Sequence, residues 1–210
     1  MIRDLISEYN KKKRSIKRRL KEFKSVWSGS DKRVFSELCF CICTPQSKAV
    51  YCDKAVSDLE KSGILFRGDL RQIKAGLIAV RFPNNKARYI IKARELFDAG
   101  GDIRIKDKID VDNIPKTRKW LAQYVAGIGF KEASHFLRNI GFGNDVAILD
   151  VHILRNLKRY GVIKKIPLSL TKKSYFNIEN KMRAFSQRIK VPLEELDLLF
   201  WSIQTGFIFK

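Results

Sequence analysis

The chain has 210 residues, of which 45% are hydrophobic and 11% aromatic, so it can bury a substantial core and a mainly disordered chain is excluded. Its longest uncharged stretch, Leu198 to Phe209, is too short to cross a bilayer, and Met1 to Leu5 lack the apolar run of a secretion signal, so we expect an intracellular protein. A net charge of +21 favours nucleic acid as the partner, over an anionic membrane surface or a role in solubility alone.

The first predicted element is a basic amphipathic segment. Apolar residues recur every three or four positions from Leu5 to Trp27, and Lys and Arg fill most of the positions between Lys11 and Lys21. This period predicts one helix or two, with an apolar face toward the core and a basic face toward solvent. Individually, these basic side chains need no role beyond solvation.

The next segment holds all four cysteines, Cys39, Cys41, Cys43 and Cys52. Their spacing matches no common zinc site, and neither histidine, His135 or His152, lies nearby in sequence. The spacing also disfavours an iron–sulfur cluster. The nearly continuous apolar run from Val34 to Thr44 predicts a buried helix. Its cysteines would serve as small core residues in a protein of a reducing compartment.

Caps and prolines mark the later helices. Asn84 and Asn85 precede a predicted helix that ends before Gly100 and Gly101. Pro115 suits the first position of a helix running to Tyr124, and Pro192 that of a helix from Leu193 to Ile203. One more helical stripe consists of Tyr175, Ile178, Met182, Phe185 and Ile189. Strand-like alternation is scarce, so we predict an all-α fold.

A short glycine motif, Gly127-Ile128-Gly129, lies between two apolar helical patterns. Such a turn leaves backbone N–H groups open at the start of the following helix, where the helix dipole favours an anion. Alone it is usually only a turn. With Lys131 beside it and a charge of +21, it indicates a helix-hairpin-helix clamp that binds the DNA backbone through Gly127 and Gly129 without reading bases.

Two charged residues follow this motif. Lys131 could contact a phosphate, or it could turn inward and meet Asp150, which follows three apolar residues. A carboxylate at that place is most often the N-cap of the next helix, here Val151 to Tyr160. On spacing alone, both the structural and the catalytic interpretation stay open.

The run from Val125 to Asn139, VAGIGFKEASHFLRN, together with LDVHILR from Leu149 to Arg155, resembles the helix-hairpin-helix superfamily of DNA glycosylases. Its KEASHFLRN portion is similar to the archaeal-type 8-oxoguanine DNA glycosylase/AP lyase family. The segments ELCFCI, from Glu37, and WSIQTGFIFK, from Trp201 to Lys210, are also similar to that family. The resemblance therefore extends from residue 37 to the last residue.

The resemblance implies a bifunctional enzyme that needs no metal or organic cofactor. Many relatives carry four cysteines for an iron–sulfur cluster near the end of the catalytic region, and no cysteine follows Cys52 here. Lys131 would be the nucleophile that displaces the base of an extruded nucleotide and forms a Schiff base, and β-elimination would then cut the strand on the 3′ side. Asp150 would stabilise the positive charge that develops on the sugar.

The resemblance also implies a pocket. Phe82 and Trp201 would sandwich the base, Lys210 would help to recognise it, and Gln46 would enter the duplex or line the pocket. Trp201 could instead be plain core, and Lys210 a frayed end. The CTPQS run from Cys43 differs from the family pattern, particularly in its proline.

Three further side chains are candidates for DNA contact. Arg81 would fill or probe the duplex after the base has left, although an exposed arginine on a basic protein needs no such role. His135 and Arg138 share a helix face with Lys131 and would approach the backbone. A hydrogen-bonded structural histidine is the alternative at position 135.

The family implies two helical subdomains with the active site in the cleft between them. We expect a middle bundle from 31 to 140 that ends in the hairpin motif, and a discontinuous unit from 1–30 plus 141–210. We expect a monomer that acts on double-stranded DNA containing 8-oxoguanine. Its expected location is the cytoplasm or nucleoid of a prokaryote, and the resemblance points to an archaeon. A glycosylase/lyase for oxidised pyrimidines and a non-catalytic DNA-binding module are the alternatives.

Overall fold

A computed structural model describes residues 2–210, which are mainly helical. The helices are α1 (Ile2–Ser28), α2 (Asp31–Cys43), α3 (Ala49–Lys61), α4 (Ile64–Arg67), α5 (Leu70–Gly76), α6 (Pro83–Phe97), α7 (Ile114–Tyr124), α8 (Phe130–Asn139), α9 (Val151–Arg159), α10 (Lys172–Ile189) and α11 (Leu193–Thr205). A short 3-10 helix spans Lys106–Lys108. The strands β1 (Asp98–Ala99) and β2 (Asp102–Ile103) pair antiparallel, with Asp98 opposite Ile103. The predicted all-α class is confirmed.

The chain divides into two compact units by its internal contacts. One is the continuous segment Val26–Phe136, called here the middle unit. The other, the terminal unit, joins the residues up to Ser25 to Leu137–Lys210. Both junctions fall within helices, α1 and α8. The family resemblance implies boundaries after residues 30 and 140, a few residues later along the chain in each case.

Helix α1 is a single helix rather than two. In the terminal unit its apolar face buries Leu5, Tyr9, Ile16, Leu20 and Phe23. The Tyr9 hydroxyl donates a 2.7 Å hydrogen bond to Glu195 of α11, and Lys12 donates to the side chain of Ser202. These bonds dock α1 on α11. The opposite face exposes cations, namely Lys11, Lys13, Arg14, Lys17, Arg18, Lys21 and Lys24.

Helix α2 is the centre of the middle unit, and its residues from Val34 to Cys43 are all buried. The four cysteines are buried free thiols, three on α2 and Cys52 on α3, as predicted. Burial raises the pKa of the Cys39 thiol well above its ordinary value, and that of Cys52 to about 11. Protonated thiols of this kind are inert core residues.

The late helices complete the terminal unit. The rings of Tyr160, Phe185 and Phe200 stack on one another between α9, α10 and α11, and Tyr160 lies parallel to Phe200 at 5.6 Å. The predicted position of Pro192 is wrong by one residue, since it is the N-cap of α11. Pro115 is also one residue away from its predicted position, since Ile114 is the first residue of α7 and Pro115 is the second. Proline suits either place because neither requires its missing N–H.

Candidate active site

The Gly127-Ile128-Gly129 motif forms the turn between α7 and α8 in the middle unit. Gly127 has a φ of +81°, and a Cβ there would lie 2.4 Å from the Tyr89 ring, so a side chain is excluded twice over. The Gly129 carbonyl accepts the Ala133 N–H at 2.9 Å and so begins α8. The predicted helix-hairpin-helix geometry is present.

One residue of the hairpin escaped sequence reasoning. Glu132 Oε2 accepts the Gly129 N–H at 3.3 Å, so this amide is not as open as the motif suggests. The same carboxylate reaches Lys131 through Oε1, with 2.8 Å between Oε1 and Nζ. The signal was in the sequence, because a Glu three residues after a helix N-cap is the spacing of a capping box.

Lys131 is the second residue of α8, directly after the hairpin. Its side chain is 26% exposed and is therefore partly accessible to solvent. Its neighbour Glu132 is the carboxylate that balances its charge. An amine on a partly exposed side chain, beside a helix-hairpin-helix turn, has the arrangement needed to meet a sugar whose phosphate such a turn holds.

Asp150 is the N-cap of α9 in the terminal unit, as predicted. Its Oδ1 accepts the Ile153 N–H at 2.8 Å, and within residues 2–210 its Oδ2 has no hydrogen-bond partner. The chain leading to it is fixed at Ala147, whose N–H donates to Glu179 and whose carbonyl accepts from the Tyr175 hydroxyl. The carboxylate is therefore held at a set place with one oxygen available for chemistry.

The carboxyl-terminal tail packs on Trp201 in the terminal unit. Gly206, with a φ of +88°, ends α11 and turns the chain back, so that Phe207 meets the edge of Trp201 at 5.3 Å and Phe209 stacks on it at 6.4 Å. The His152 ring approaches Trp201 edge-on at 6.4 Å. Trp201 is half-buried. Lys210 is partly exposed at the end of this aromatic cluster.

Three other predicted site residues lie on two loops of the middle unit. Gln46 is on the loop between α2 and α3, and Arg81 and Phe82 immediately precede α6. All three are exposed, Phe82 by 49%. The Arg81 guanidinium lies 5.3 Å from the centre of the Phe82 ring. Such exposed aromatic, amide and guanidinium groups can stack on or hydrogen-bond to bases.

The structure does not support a phosphate contact for Arg138 or His135. Arg138 is 5% exposed and pairs with Asp197 of α11 at 2.5 Å in the terminal unit, since α8 turns that position inward. His135 is buried in the middle unit with its ring edge-to-face against Phe40. Burial and the ring contact favour the alternative interpretation of His135 as a structural residue, and Arg138 forms a buried ion pair.

In the part of the chain that the structure describes, no group of three or more His, Cys, Asp or Glu side chains is arranged so that it could hold a metal ion. Within the same residues, no helix combines the length and apolar character that a membrane crossing needs.

Comparison with known proteins agrees with the family resemblance. A family model described as 8-oxoguanine DNA glycosylase, of the helix-hairpin-helix type, matches residues 16–191. A Fusobacterium nucleatum protein named 8-oxoguanine DNA glycosylase/AP lyase is 43% identical over 204 residues, which are 96% of this chain and 94% of that protein. A Methanocaldococcus jannaschii protein of the same name is 36% identical over 93% of this chain and 91% of its own length. Bacteria and archaea are both represented among these relatives.

Solved structures resemble the whole chain. The crystal structure of the Methanocaldococcus jannaschii 8-oxoguanine glycosylase/lyase in complex with 15mer DNA containing 8-oxoguanine has a TM-score of 0.90 and 34% identity, and the match covers 100% of this chain and 99% of that one. The 8-oxoguanine DNA glycosylase of Thermotoga maritima has a TM-score of 0.87 and 31% identity, with 100% and 98% covered.

Proposed function

The chain belongs to the helix-hairpin-helix family of 8-oxoguanine DNA glycosylases, and we propose that it excises 8-oxoguanine from double-stranded DNA and then cleaves the strand at the abasic site. The observation that carries this proposal is the partly exposed Lys131 at the start of α8, directly after the Gly127-Ile128-Gly129 turn. A phosphate-binding turn alone would serve any DNA-binding module. An amine placed beside it adds the nucleophile that a glycosylase/lyase requires.

Lys131 carries out both steps in this proposal. Its neutral amine attacks C1′ of the damaged nucleotide while the bond from C1′ to N9 breaks, and the base leaves with the electron pair of that bond and takes up a proton. The sugar ring then opens to a Schiff base on Nζ. Loss of a proton from C2′ breaks the bond from C3′ to oxygen and releases the strand 3′ to the lesion.

Asp150 assists the same reaction. Its carboxylate stabilises the positive charge that builds on the sugar as the base departs, and it shuttles protons in the later steps. Its fixed N-cap position supports this role, because a charge that needs no reorganisation stabilises a transition state more than a mobile one does. One oxygen caps the helix and the other is available to the substrate.

The other predicted site residues recognise DNA. Trp201 and Phe82 stack on the extruded base and Lys210 contacts it, while Gln46 and Arg81 enter the duplex beside the vacated position. The backbone at Gly127 and Gly129 binds phosphate. Discrimination against guanine needs an acceptor for the extra N–H of 8-oxoguanine. We further propose that the protein acts as a monomer, in the DNA-containing compartment of a prokaryotic cell.

The test is borohydride trapping on a duplex with one 8-oxoguanine, beside an undamaged duplex and the Lys131→Gln variant. We expect a lesion-dependent covalent adduct with the wild type and none with the variant, while duplex affinity stays within a few-fold, since the variant loses the nucleophile but only one of many cations. Trapping on a matched duplex that carries an oxidised pyrimidine tests the alternative activity, that of a glycosylase/lyase for oxidised pyrimidines. DNA binding without any adduct would instead indicate a binding module.

A further inference from the structure

Two non-glycine residues of the middle unit have left-handed backbone conformations. These are Gln46, with a φ of 57°, and Phe82, with a φ of 58°. L-residues rarely adopt this region, and such residues persist only where the surroundings fix them. Both side chains are exposed, so core packing does not hold them. Something else must fix the two loops that carry them.

A buried cation fixes the first loop. The Lys86 ammonium donates three hydrogen bonds, to the Cys43 carbonyl at 2.6 Å, to the Pro45 carbonyl at 2.8 Å and to the Ser47 hydroxyl at 2.8 Å. All three of its protons are thereby used. These acceptors flank Gln46 on both sides, so the loop cannot shift without breaking bonds to the ammonium.

The same cation is tied to the second loop. The Ser47 hydroxyl oxygen that accepts from Lys86 also accepts the Arg81 N–H at 3.0 Å, one residue before Phe82. The backbone N–H of Lys86 itself donates to the Phe82 carbonyl at 3.2 Å. Lys86 and Ser47 therefore join both left-handed residues to a single set of bonds, which we call the Lys86 clamp.

Burying an ammonium group in this way is energetically unfavourable, and a residue that served only to fill the core would not need one. Lys86 is 4% exposed, and none of its three acceptors is a carboxylate. Lysine is almost never so buried without a charged partner. Loss of hydration lowers the pKa of its ammonium, and the nearby Lys131 and Arg81 lower it further. An apolar side chain would avoid these costs but could not hold the loops.

We propose that Lys86 is a positioning residue for lesion extrusion, which holds Gln46 and Phe82 at one fixed geometry so that the amide enters the duplex as the aromatic ring receives the extruded base. This inference rests on the proposed function, because it assumes that these two side chains meet DNA. The partner of Gln46 is the duplex beside the vacated position, and the partner of Phe82 is the extruded base. Rigid presentation removes the cost of ordering two loops at the moment of binding.

The experiment compares Lys86→Met with the matched control Lys92→Met, an exposed lysine of the same helix whose loss removes the same charge. Circular dichroism and thermal melting establish that each variant is folded. Single-turnover excision, with enzyme in saturating excess, is measured on a duplex with 8-oxoguanine opposite cytosine. Strand cleavage is measured on a single-stranded oligonucleotide with a preformed abasic site, which needs Lys131 but no extrusion.

We expect Lys86→Met to slow duplex excision by on the order of 100-fold, the typical effect of misplacing reacting groups by about 1 Å. Cleavage of the single-stranded abasic substrate should stay within about twofold of the wild type. A 2-aminopurine beside the lesion should brighten less on binding than with the wild type, because fewer bases are unstacked. Lys92→Met should match the wild type in all three measurements.

Two outcomes would overturn the inference. Equal losses on both substrates would mean that Lys86 acts on the chemistry of Lys131 or on the fold, and unchanged excision would mean that the clamp is dispensable. If Lys86→Met does not fold, Ser47→Ala removes the shared hydroxyl and should show the same selective loss at smaller size. A wild type that neither excises nor traps 8-oxoguanine DNA would instead overturn the proposed function.

Discussion

At the scale of single residues, the two hairpin glycines are present for different reasons. Gly127 needs its left-handed backbone, and a Cβ there would run into the body of the Tyr89 ring at 2.4 Å. Gly129 has no such constraint, since its Cβ would meet only the Glu132 carboxylate at 3.3 Å. The first glycine serves the fold of the turn, and the second keeps the start of α8 free of a side chain that would screen its backbone from a phosphate.

Alanine substitutions separate these reasons. Gly127→Ala should destabilise the protein by about 1–3 kcal/mol, the usual cost of a residue in a disfavoured backbone region, with the ring clash adding to it. Gly129→Ala should change stability by less than about 1 kcal/mol yet weaken binding to an undamaged duplex, because its methyl group stands beside the phosphate-binding amides. Urea denaturation and fluorescence anisotropy measure the two effects. Equal stability losses in both variants would contradict this division.

At the scale of elements, Arg138 of α8 and Asp197 of α11 form a buried ion pair in the terminal unit. Arg138 also bonds to Asn139 through two nitrogens and lies over the Phe23 ring of α1. One guanidinium thus joins three helices. Burial raises the pKa of Asp197 to about 6 despite the attraction of Arg138, so the lost hydration outweighs the pairing.

This shift predicts a pH dependence of stability. Between about pH 4 and pH 6, Asp197 is protonated in a larger fraction of folded molecules than of unfolded ones. The contribution of this group to the free energy of unfolding therefore falls as pH rises. Asp197→Asn removes the titration. The unfolding free energy of the wild type minus that of the variant should therefore decrease by up to about 3 kcal/mol over this range. Urea titrations at constant ionic strength test it, and a difference that grows with pH would refute it.

Elements were predictable from sequence where the determining pattern is local. The apolar period of α1, the cap of α9 at Asp150 and the buried cysteines of α2 each follow from neighbouring residues. Arg138 was misassigned because its partner, Asp197, comes from a helix far along the chain. Lys86 resembled an ordinary helical lysine for the same reason, since its acceptors lie on another loop. Buried polar partners set by tertiary contacts leave no local signal.

At the scale of the whole molecule, the predicted site residues are divided between the two units. Lys131, Gln46 and Phe82 belong to the middle unit, whereas Asp150 and the cluster around Trp201 belong to the terminal unit. Local spacing could suggest the hairpin and the cap, but only the resemblance to a family grouped these residues into one site. The chain folds back on itself, so sequence distance says little about which side chains share a function.

Binding to undamaged DNA should be electrostatic and strongly dependent on salt. With a net charge of +21 and a row of exposed cations on α1, affinity for an undamaged duplex should fall by roughly 10³-fold or more between 50 and 200 mM salt, as counterions are released from each contacted phosphate. Anisotropy titrations at several salt concentrations give the slope of log affinity against log salt. Lys131→Gln should change that slope by about one at most, because it removes a single cation, while it abolishes borohydride trapping. An affinity insensitive to salt would show that the surplus charge does not serve DNA binding. A change of slope much larger than one in Lys131→Gln would show that Lys131 positions other phosphate-binding groups as well as acting as the nucleophile.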